Sequence, residues 1–285
     1  TMPLTISNNS AVAAASYYLG KNQQALQHSI KKLASGKKII APNADPGTLS
    51  VAMKLRAATT RLVGAKNNVQ NGISFVEVQD GMLQTAGRIV GRMAELKGMA
   101  TQDPMKSDQD VESYNNEFHD LQVQLYQISQ QTFNGASLFA EFTTKSGSTG
   151  AVFKGTEQQD HTISIFTSDN GSAGTKISIH KSALLSALTI TDNGSFGSVS
   201  FATTTGRHTG TGTVAGTASI FSFASATTSA AFNLDAVSMQ VFEQALSNIA
   251  YLRAQNGGSM SRLTFSADSL SIQETNIRAA LGRIE

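Results

Sequence analysis

The sequence predicts an α+β protein in which both chain ends form a long antiparallel, coiled-coil-like helical rod around an inserted β-rich domain. Apolar residues recur at every seventh position in residues 1–140 and 232–285, which is typical of helices with one apolar face. Between them, residues 141–231 are dominated by Thr, Ser, Gly and Ala. We therefore expect a helix in 1–40, a joint in 41–54, a helical rod from 55–140 with 232–285, and an inserted β-rich domain in 141–231.

Composition excludes several classes of function. The 285 residues are 40% hydrophobic, which is enough to bury a core. The net charge of +2 and the lack of basic runs longer than Lys-Lys indicate no nucleic-acid binding and no general affinity for anionic membranes. There is no cysteine, and the 5 histidines lack metal-ligand spacing. We expect no catalytic residue, metal or cofactor, and no membrane insertion.

The first helix carries one apolar stripe at a spacing of seven, formed by Val12, Leu19, Leu26 and Leu33. The stripe stops at "APNADPGTLSVA", where Pro42 and Pro46 oppose continuous helix and favour extended backbone in the residues before them. Residues 41–54 are therefore expected to join two helices. A surface loop between two helices of one bundle remains an alternative.

A second helix is predicted from Leu55 to Met99, because the stripe resumes there. Its seam is Leu55, Leu62, Val69, Val76, Leu83 and Val90. The residues three positions later are mostly small, which allows close packing along the helix. Pro104 ends this helix and Ser107 can cap a third one, seen as apolar residues from Val111 to Ile128, so the two form an antiparallel hairpin.

The last helix repeats the seven-residue spacing. Its seam includes Phe242, Ile249, Leu263, Leu270 and Ile277. Because a helix with one apolar face is unstable alone in water, this helix is expected to pack beside the early hairpin. The Gly257-Gly258 pair is expected to allow close packing or bending.

The inserted region alternates apolar and polar residues in "HTISIFTS", "TKISIH", "ALTITDNGSFGSVSFA" and "ASIFSFA". Alternation with Gly and Asn turns predicts strands.

Five sequence segments, in the same order along the chain, resemble bacterial flagellin. They are "LASGKKI", "NVQNGISFVEVQDGML", "RMAELKGMA", "QTFNGASLF" and "TNIRAALGRIE". The resemblance covers roughly Leu4 to Ala140 and Asn233 to the end, and it implies that the inserted region 141–231 is the variable, surface-facing domain of the family. It implies that residues 1–40 form an inner-tube helix, that 41–54 form a spoke, and that the rod lies in the outer tube.

The resemblance also implies a function: a non-enzymatic structural subunit that self-assembles into the filament used for motility. The implied location is the extracellular flagellum. Implied partners are other copies of the chain, the flagellar cap and junction proteins, the type III export apparatus and its export chaperone. Arg92, Glu95 and Leu96 align with a region that contacts a neighbouring subunit or a host Toll-like receptor, although Met93-Ala94 departs from the family pattern.

Two alternative functions remain open. The proline pattern of 41–54 also resembles the hook-filament junction protein. The inserted domain could instead bind a surface ligand such as a glycan, for which a cleft lined by aromatic and charged groups would be the sign. Flagellins continue beyond the motif that matches Gly282–Ile284, so the resemblance implies a C-terminal truncation. The apolar stripe of the first helix is then expected to lack its native partner, and the chain is expected not to form filaments alone.

Overall fold

A computed structural model describes residues 10–38, 40, 45–140, 162–192, 212–214 and 218–284 of the chain. The helices are α1 (Ser10–Ser35), α2 (Pro46–Gln102), α3 (Asp108–Ser129), α4 (Leu184–Ala187) and α5 (Met239–Ile284). The strands are β1 (Thr132–Phe133), β2 (Ala136–Ser137), β3 (Thr162–Phe166), β4 (Lys176–His180), β5 (Thr189–Asp192), β6 (Gly212–Val214) and β7 (Ala218–Ser222). Long helices at both ends and small antiparallel sheets between them confirm the predicted fold class.

The chain divides into two compact units. Unit 1 comprises Thr1–Gly64 and Ser271–Glu285, and unit 2 comprises Ala65–Leu270. Helices α2 and α5 contribute residues to both units.

The start of α2 corrects the sequence prediction. The helix begins at Pro46, not at Leu55. Pro46 occupies the first helical position, where a missing N–H costs nothing. The Asp45 carboxylate accepts a hydrogen bond from the Thr48 N–H at 3.0 Å, and the Asp45 carbonyl accepts one from the Leu49 N–H at 3.1 Å. Residues 46–54 are therefore helical, and the rest of the expected joint, 41–44, lies outside the described residues.

In unit 2, α5 runs antiparallel to α2. Lys97 of α2 donates to the carbonyl of Leu234, just before α5, and Asp80 pairs with Arg253, further along α5. A methyl group added at Gly87 would lie 3.7 Å from Cγ2 of Ile249. The two helices therefore approach each other closely at Gly87.

The seven-residue seams form the core of unit 2. Fully or almost fully buried are Val69, Val76, Leu83, Val90, Phe242, Ile249, Leu263 and Leu270. Within unit 1, Leu62 is buried, whereas Leu55 and Ile277 are half-buried. A phenylalanine cluster adds to the core, with the ring of Phe118 on α3 lying 5.5 Å from that of Phe232 and 6.1 Å from that of Phe242.

Helix α3 begins at the cap that the sequence predicts. The Ser107 hydroxyl accepts from the Asp110 N–H at 3.3 Å, and the Asp110 carboxylate accepts from the Ser107 N–H at 2.9 Å. This reciprocal capping box fixes the turn between α2 and α3. The same hydrogen bonds from Ser107, first from its N–H and then from its hydroxyl, lower the pKa of Asp110.

The strands pair in three small antiparallel sheets: β1–β2, β3–β4 and β5–β7–β6. In β1–β2, Asn134 and Gly135 have φ of 49° and 80°, as a two-residue Asn-Gly hairpin turn requires. In β3–β4, Ile163 faces Ile179 and Ile165 faces Ile177. The strands predicted within 161–168, 175–180 and 218–224 are confirmed, as is the start of the stretch 187–202, of which 193–202 lies outside the described residues.

Gly72 brings the β3–β4 hairpin against α2. A methyl group placed on Gly72 would lie only 2.0 Å from Cδ1 of Ile165 and 3.5 Å from Cδ1 of Ile179. A side chain at this position would force the end of the Ile165 side chain to move, so the glycine allows the hairpin to lie close to α2.

Buried amide side chains tie the helices of unit 2 to the segments between them. Gln79 donates to the carbonyl of Leu138 at 2.6 Å, and Asn248 donates to that of Ala187 at 3.1 Å. Gln122 binds both the carbonyl and the N–H of Phe232, at 2.8 and 3.3 Å. Each bond gives a main-chain group of these segments a hydrogen-bond partner.

The Gly257-Gly258 pair lies inside a continuous α5. A methyl group on either glycine would meet nothing within 4 Å. In the part of the chain that the structure describes, no neighbour approaches this pair, so the expected close packing is not observed there.

Candidate assembly surfaces

Helix α1 exposes the apolar stripe that the sequence predicts. Val12, Leu19, Leu26 and Leu33 are 60%, 61%, 61% and 87% exposed, and no residue of α1 is buried. Residues seven apart lie on nearly the same side of a helix, so these four make one continuous surface, which we call the terminal face. Because water disfavours exposed apolar area by about 25 cal/mol per Å², the terminal face favours association.

Helix α1 has hydrogen bonds within the helix and a glycine at its C-terminal end, although none of its residues is buried. Its serines bond within the helix, since Ser16 Oγ donates to the Ala13 carbonyl at 3.0 Å and Ser29 Oγ donates to the Ala25 carbonyl at 2.9 Å. The helix is followed by Gly36 with φ of 64°, the left-handed conformation that commonly ends helices. Lys32 in the last turn is favoured by the negative end of the helix dipole.

Arg92 forms a charged surface site that joins α2 to α3. Its Nε lies 2.8 Å from Glu117 Oε1, its Nη2 lies 3.2 Å from Glu117 Oε2, and its Nη1 lies 3.1 Å from Glu95 Oε2. The hydrogen bonds to Glu117 and then to Glu95 raise the pKa of Arg92 above its ordinary value. All three side chains are about half exposed or more, so solvent weakens the pairs and they add little stability.

Leu96 does not belong to the same surface. It is 0% exposed, whereas Arg92 and Glu95 are accessible. The expected contact set of Arg92, Glu95 and Leu96 is thus corrected to its two charged members. Leu96 lies three residues after Met93 and four before Ala100, both buried, and this helical spacing is a signal of its place in the core.

A second ion pair was not predicted. Arg253 on α5 donates from Nε and Nη2 to the two carboxylate oxygens of Asp80 on α2, both at 2.9 Å. The hydrogen bond to Asp80 raises the pKa of Arg253. The partners are 173 positions apart, so no local pattern could connect them.

A cleft of about 360 Å³ lies between α2, the β1–β2 hairpin and the β3–β4 hairpin. It is lined by Phe75, Phe133, Phe166, Asn68, Asn71 and Asn134, together with Gly72 and several aliphatic residues. Aromatic rings are therefore present at this cleft, and among the described residues its lining carries no charged side chain. The described lining thus has the aromatic groups, but not the charged groups, that were expected if the inserted domain binds a ligand.

No helix in the described part of the chain is both long and apolar enough to cross a membrane. Within the same ranges, no group of three or more His, Asp or Glu residues is arranged to hold a metal ion.

The molecule has long helices with a seven-residue apolar repeat, small intervening sheets and, on α1, an exposed apolar stripe. These features are typical of a helical structural protein. Residues 6–144 match the family described as bacterial flagellin N-terminal helical region. The chain belongs to the bacterial flagellin family.

Individual relatives are similar over different lengths. The 30.7 kDa flagellar filament core protein of Treponema maltophilum is 32% identical over 136 residues, 47% of each chain. Flagellin of Listeria monocytogenes is 26% identical over 269 residues, 94% of this chain and 81% of its own length. A crystal structure of Bacillus cereus flagellin, 17% identical, covers 75% of this chain and 94% of its own, with a TM-score of 0.44. The chain spans about half the length of the Treponema relatives it matches.

Proposed function

We propose that this chain is a non-enzymatic structural subunit that self-assembles into the bacterial flagellar filament and acts outside the cell. The observation that carries the proposal is the terminal face of α1, which has the seam of a packed helix and no burial in the chain. Similarity to proteins named flagellin or flagellar filament core protein supports the same assignment.

The two units have different roles in this proposal. The terminal face associates with helices of other subunits, and burying one of its leucines contributes about 1.5 to 3 kcal/mol. Unit 2 already has its own core, so it can join an assembly as a folded block. Identical head-to-tail contacts between subunits that do not close into a ring produce an open helical polymer, which is the form a filament requires.

Residue ranges receive the following roles. Residues 1–40 pack in the inner tube, 41–54 connect inner and outer layers, 55–140 with 232–285 form the outer rod, and 141–231 face outward. Arg92 and Glu95 provide polar contacts to a neighbouring subunit or to a host Toll-like receptor. The cap and junction proteins, the type III export apparatus and an export chaperone are the remaining partners.

Incorporation into growing filaments tests the proposal. The chain carries a fluorophore on Met105→Cys, a site that is 89% exposed in a sequence with no other cysteine. It is added as a minor component while full-length flagellin polymerises, and filaments are imaged by fluorescence and electron microscopy. We expect label along the filament length. Label restricted to filament ends would instead indicate a junction protein.

The matched variants are Leu19→Asp with Leu26→Asp on the terminal face, and Met239→Asp with Tyr251→Asp on exposed positions of α5. The first pair should abolish incorporation without lowering the unfolding midpoint of unit 2. Equal incorporation of the two pairs would contradict the assembly role of the terminal face.

A further inference from the structure

The charges of α1 are unbalanced in a way that the whole-chain composition hides. The net charge of the chain is only +2, yet residues 1–44 contain no Asp or Glu. They carry five lysines: Lys21, Lys31, Lys32, Lys37 and Lys38. The first acidic residue is Asp45, at the cap of α2.

The lysines and the terminal face occupy different sides of α1. At about 100° per residue, Lys21 and Lys31 lie about 140° from Leu26 around the helix, and Lys32 lies about 120° from it. Tyr18 lies about 80° from Leu26, at the edge of the apolar stripe, whereas Tyr17 lies on the opposite side of the helix; they are 62% and 68% exposed. Helix α1 thus combines one strongly apolar side with a polar side whose charges are all positive. Such a helix is suited to lie in the plane of a membrane surface.

We propose that α1, when it is not packed in an assembly, binds an anionic lipid surface through its terminal face and its lysines. Leu19, Leu26 and Leu33 enter the boundary of the acyl chains, and the flexible lysine side chains reach the phosphate groups. The three lysines of α1, Lys21, Lys31 and Lys32, lie within about one helix diameter, and so within about one Debye length, of the surface. The helix lies on the membrane and does not cross it.

The charge pattern favours lipid over a second copy of the same helix. Two α1 helices would cover only each other's terminal faces, and their six lysines, three from each helix, would find no acidic residue in either segment to pair with. An anionic bilayer supplies both an apolar layer for the terminal face and negative charge for the lysines. This inference goes beyond filament assembly, because it concerns the unassembled chain.

Tryptophan fluorescence can locate the bound side of the helix. The chain contains no tryptophan, so Leu26→Trp reports on the terminal face alone and Gln24→Trp reports on the polar side. The monomeric full chain is mixed with vesicles of phosphatidylcholine plus phosphatidylglycerol, or with vesicles of phosphatidylcholine alone. We expect a blue shift for Leu26→Trp with the anionic vesicles, no shift for Gln24→Trp, and loss of binding when salt is raised.

Charge reversal provides the decisive comparison in vesicle flotation. Each lysine near an anionic surface should change the partition constant about fivefold, so Lys31→Glu with Lys32→Glu should lower it by at least tenfold. Lys54→Glu with Lys176→Glu makes the same change in net charge at exposed positions outside α1 and should lower it much less.

Three outcomes would overturn the inference. They are equal binding to neutral vesicles, equal loss in the two double variants, and binding to soluble polyglutamate without binding to the anionic vesicles. The last outcome would point to an acidic polypeptide as the partner.

Discussion

Helix α1 of unit 1 and the central part of α2 in unit 2 carry the same sequence pattern but differ completely in burial. Val12, Leu19, Leu26 and Leu33 are 60–87% exposed, whereas Val69, Val76, Leu83 and Val90 are all 0% exposed. In unit 2, α3 and α5 both contact α2, as the Arg92–Glu117 and Asp80–Arg253 pairs show. A seven-residue repeat therefore identifies which side of a helix seeks a partner, but not whether that partner belongs to the same chain.

The largest difference between the two regions is expected when one leucine of each seam is replaced by alanine and the free energy of unfolding is measured. Leu83→Ala removes a fully buried side chain and should lower the free energy of unfolding by about 2 to 5 kcal/mol. Leu26→Ala, the same substitution on the terminal face, should change it by less than about 0.5 kcal/mol. Urea unfolding followed by circular dichroism measures both. Similar losses in the two variants would mean that the terminal face is covered within the free chain.

The buried amide side chains are a second difference between the two regions, since α1 buries no residue and therefore has no buried amide. Gln122→Ala removes both hydrogen bonds to the Phe232 main chain. It should cost about 2 to 4 kcal/mol, because buried polar groups lose their partners. The control is Gln124→Ala, an exposed residue two positions along the same helix, which should be nearly neutral. An equally mild Gln122→Ala would show that these bonds do not hold the segment in place.

Gly72→Ala tests how closely the β3–β4 hairpin packs on α2. The new methyl group meets Ile165, so we expect a loss of about 1 to 2 kcal/mol despite the better helix propensity of alanine. Ile165→Val removes the clashing Cδ1 atom and should rescue the variant in a double-mutant cycle. Gly81→Ala, where nothing lies within 4 Å, should stabilise instead. Additive effects of Gly72→Ala and Ile165→Val would refute direct contact.

Replacing Gly257 and Gly258 by alanine should stabilise α5 by about 1 kcal/mol for each substitution. A methyl group at either site meets no neighbour, and the helix is continuous there. Thermal unfolding measures the gain. A decrease in the melting temperature would indicate that helix bending at this pair is required.

The smallest expected effect is a pH dependence at the start of α3. Hydrogen bonds from Ser107 lower the pKa of Asp110 below its ordinary 3.8, so the capping box stabilises the folded chain above that pH. This contribution should be lost as the pH falls through the lowered value. Amide hydrogen exchange at Asp110 and Val111, followed from about pH 5 to about pH 2, should show faster opening on acidification. Asp110→Asn should remove this pH dependence, and an unchanged profile would contradict it.

Periodicity predicted the helices and most strands because both depend on local alternation of apolar and polar residues. It missed the start of α2, because Asp45 and Pro46 begin a helix in a segment where the two prolines predict a break. It also could not predict the Asp80–Arg253 pair, the bond of Gln122 to Phe232, or the order β5–β7–β6, since these depend on contacts between distant parts of the chain. The terminal face was predicted residue by residue, and its exposure is visible only in the structure.

The most direct test of the comparison is thiol accessibility in this cysteine-free chain. Leu26→Cys and Val76→Cys are labelled with a maleimide, first in the monomer and then in filaments grown with full-length flagellin. We predict rapid labelling of Leu26→Cys and protection of Val76→Cys in the monomer, and protection of both in the filament. Protection of Leu26→Cys in the monomer, or its unchanged labelling in the filament, would contradict the account.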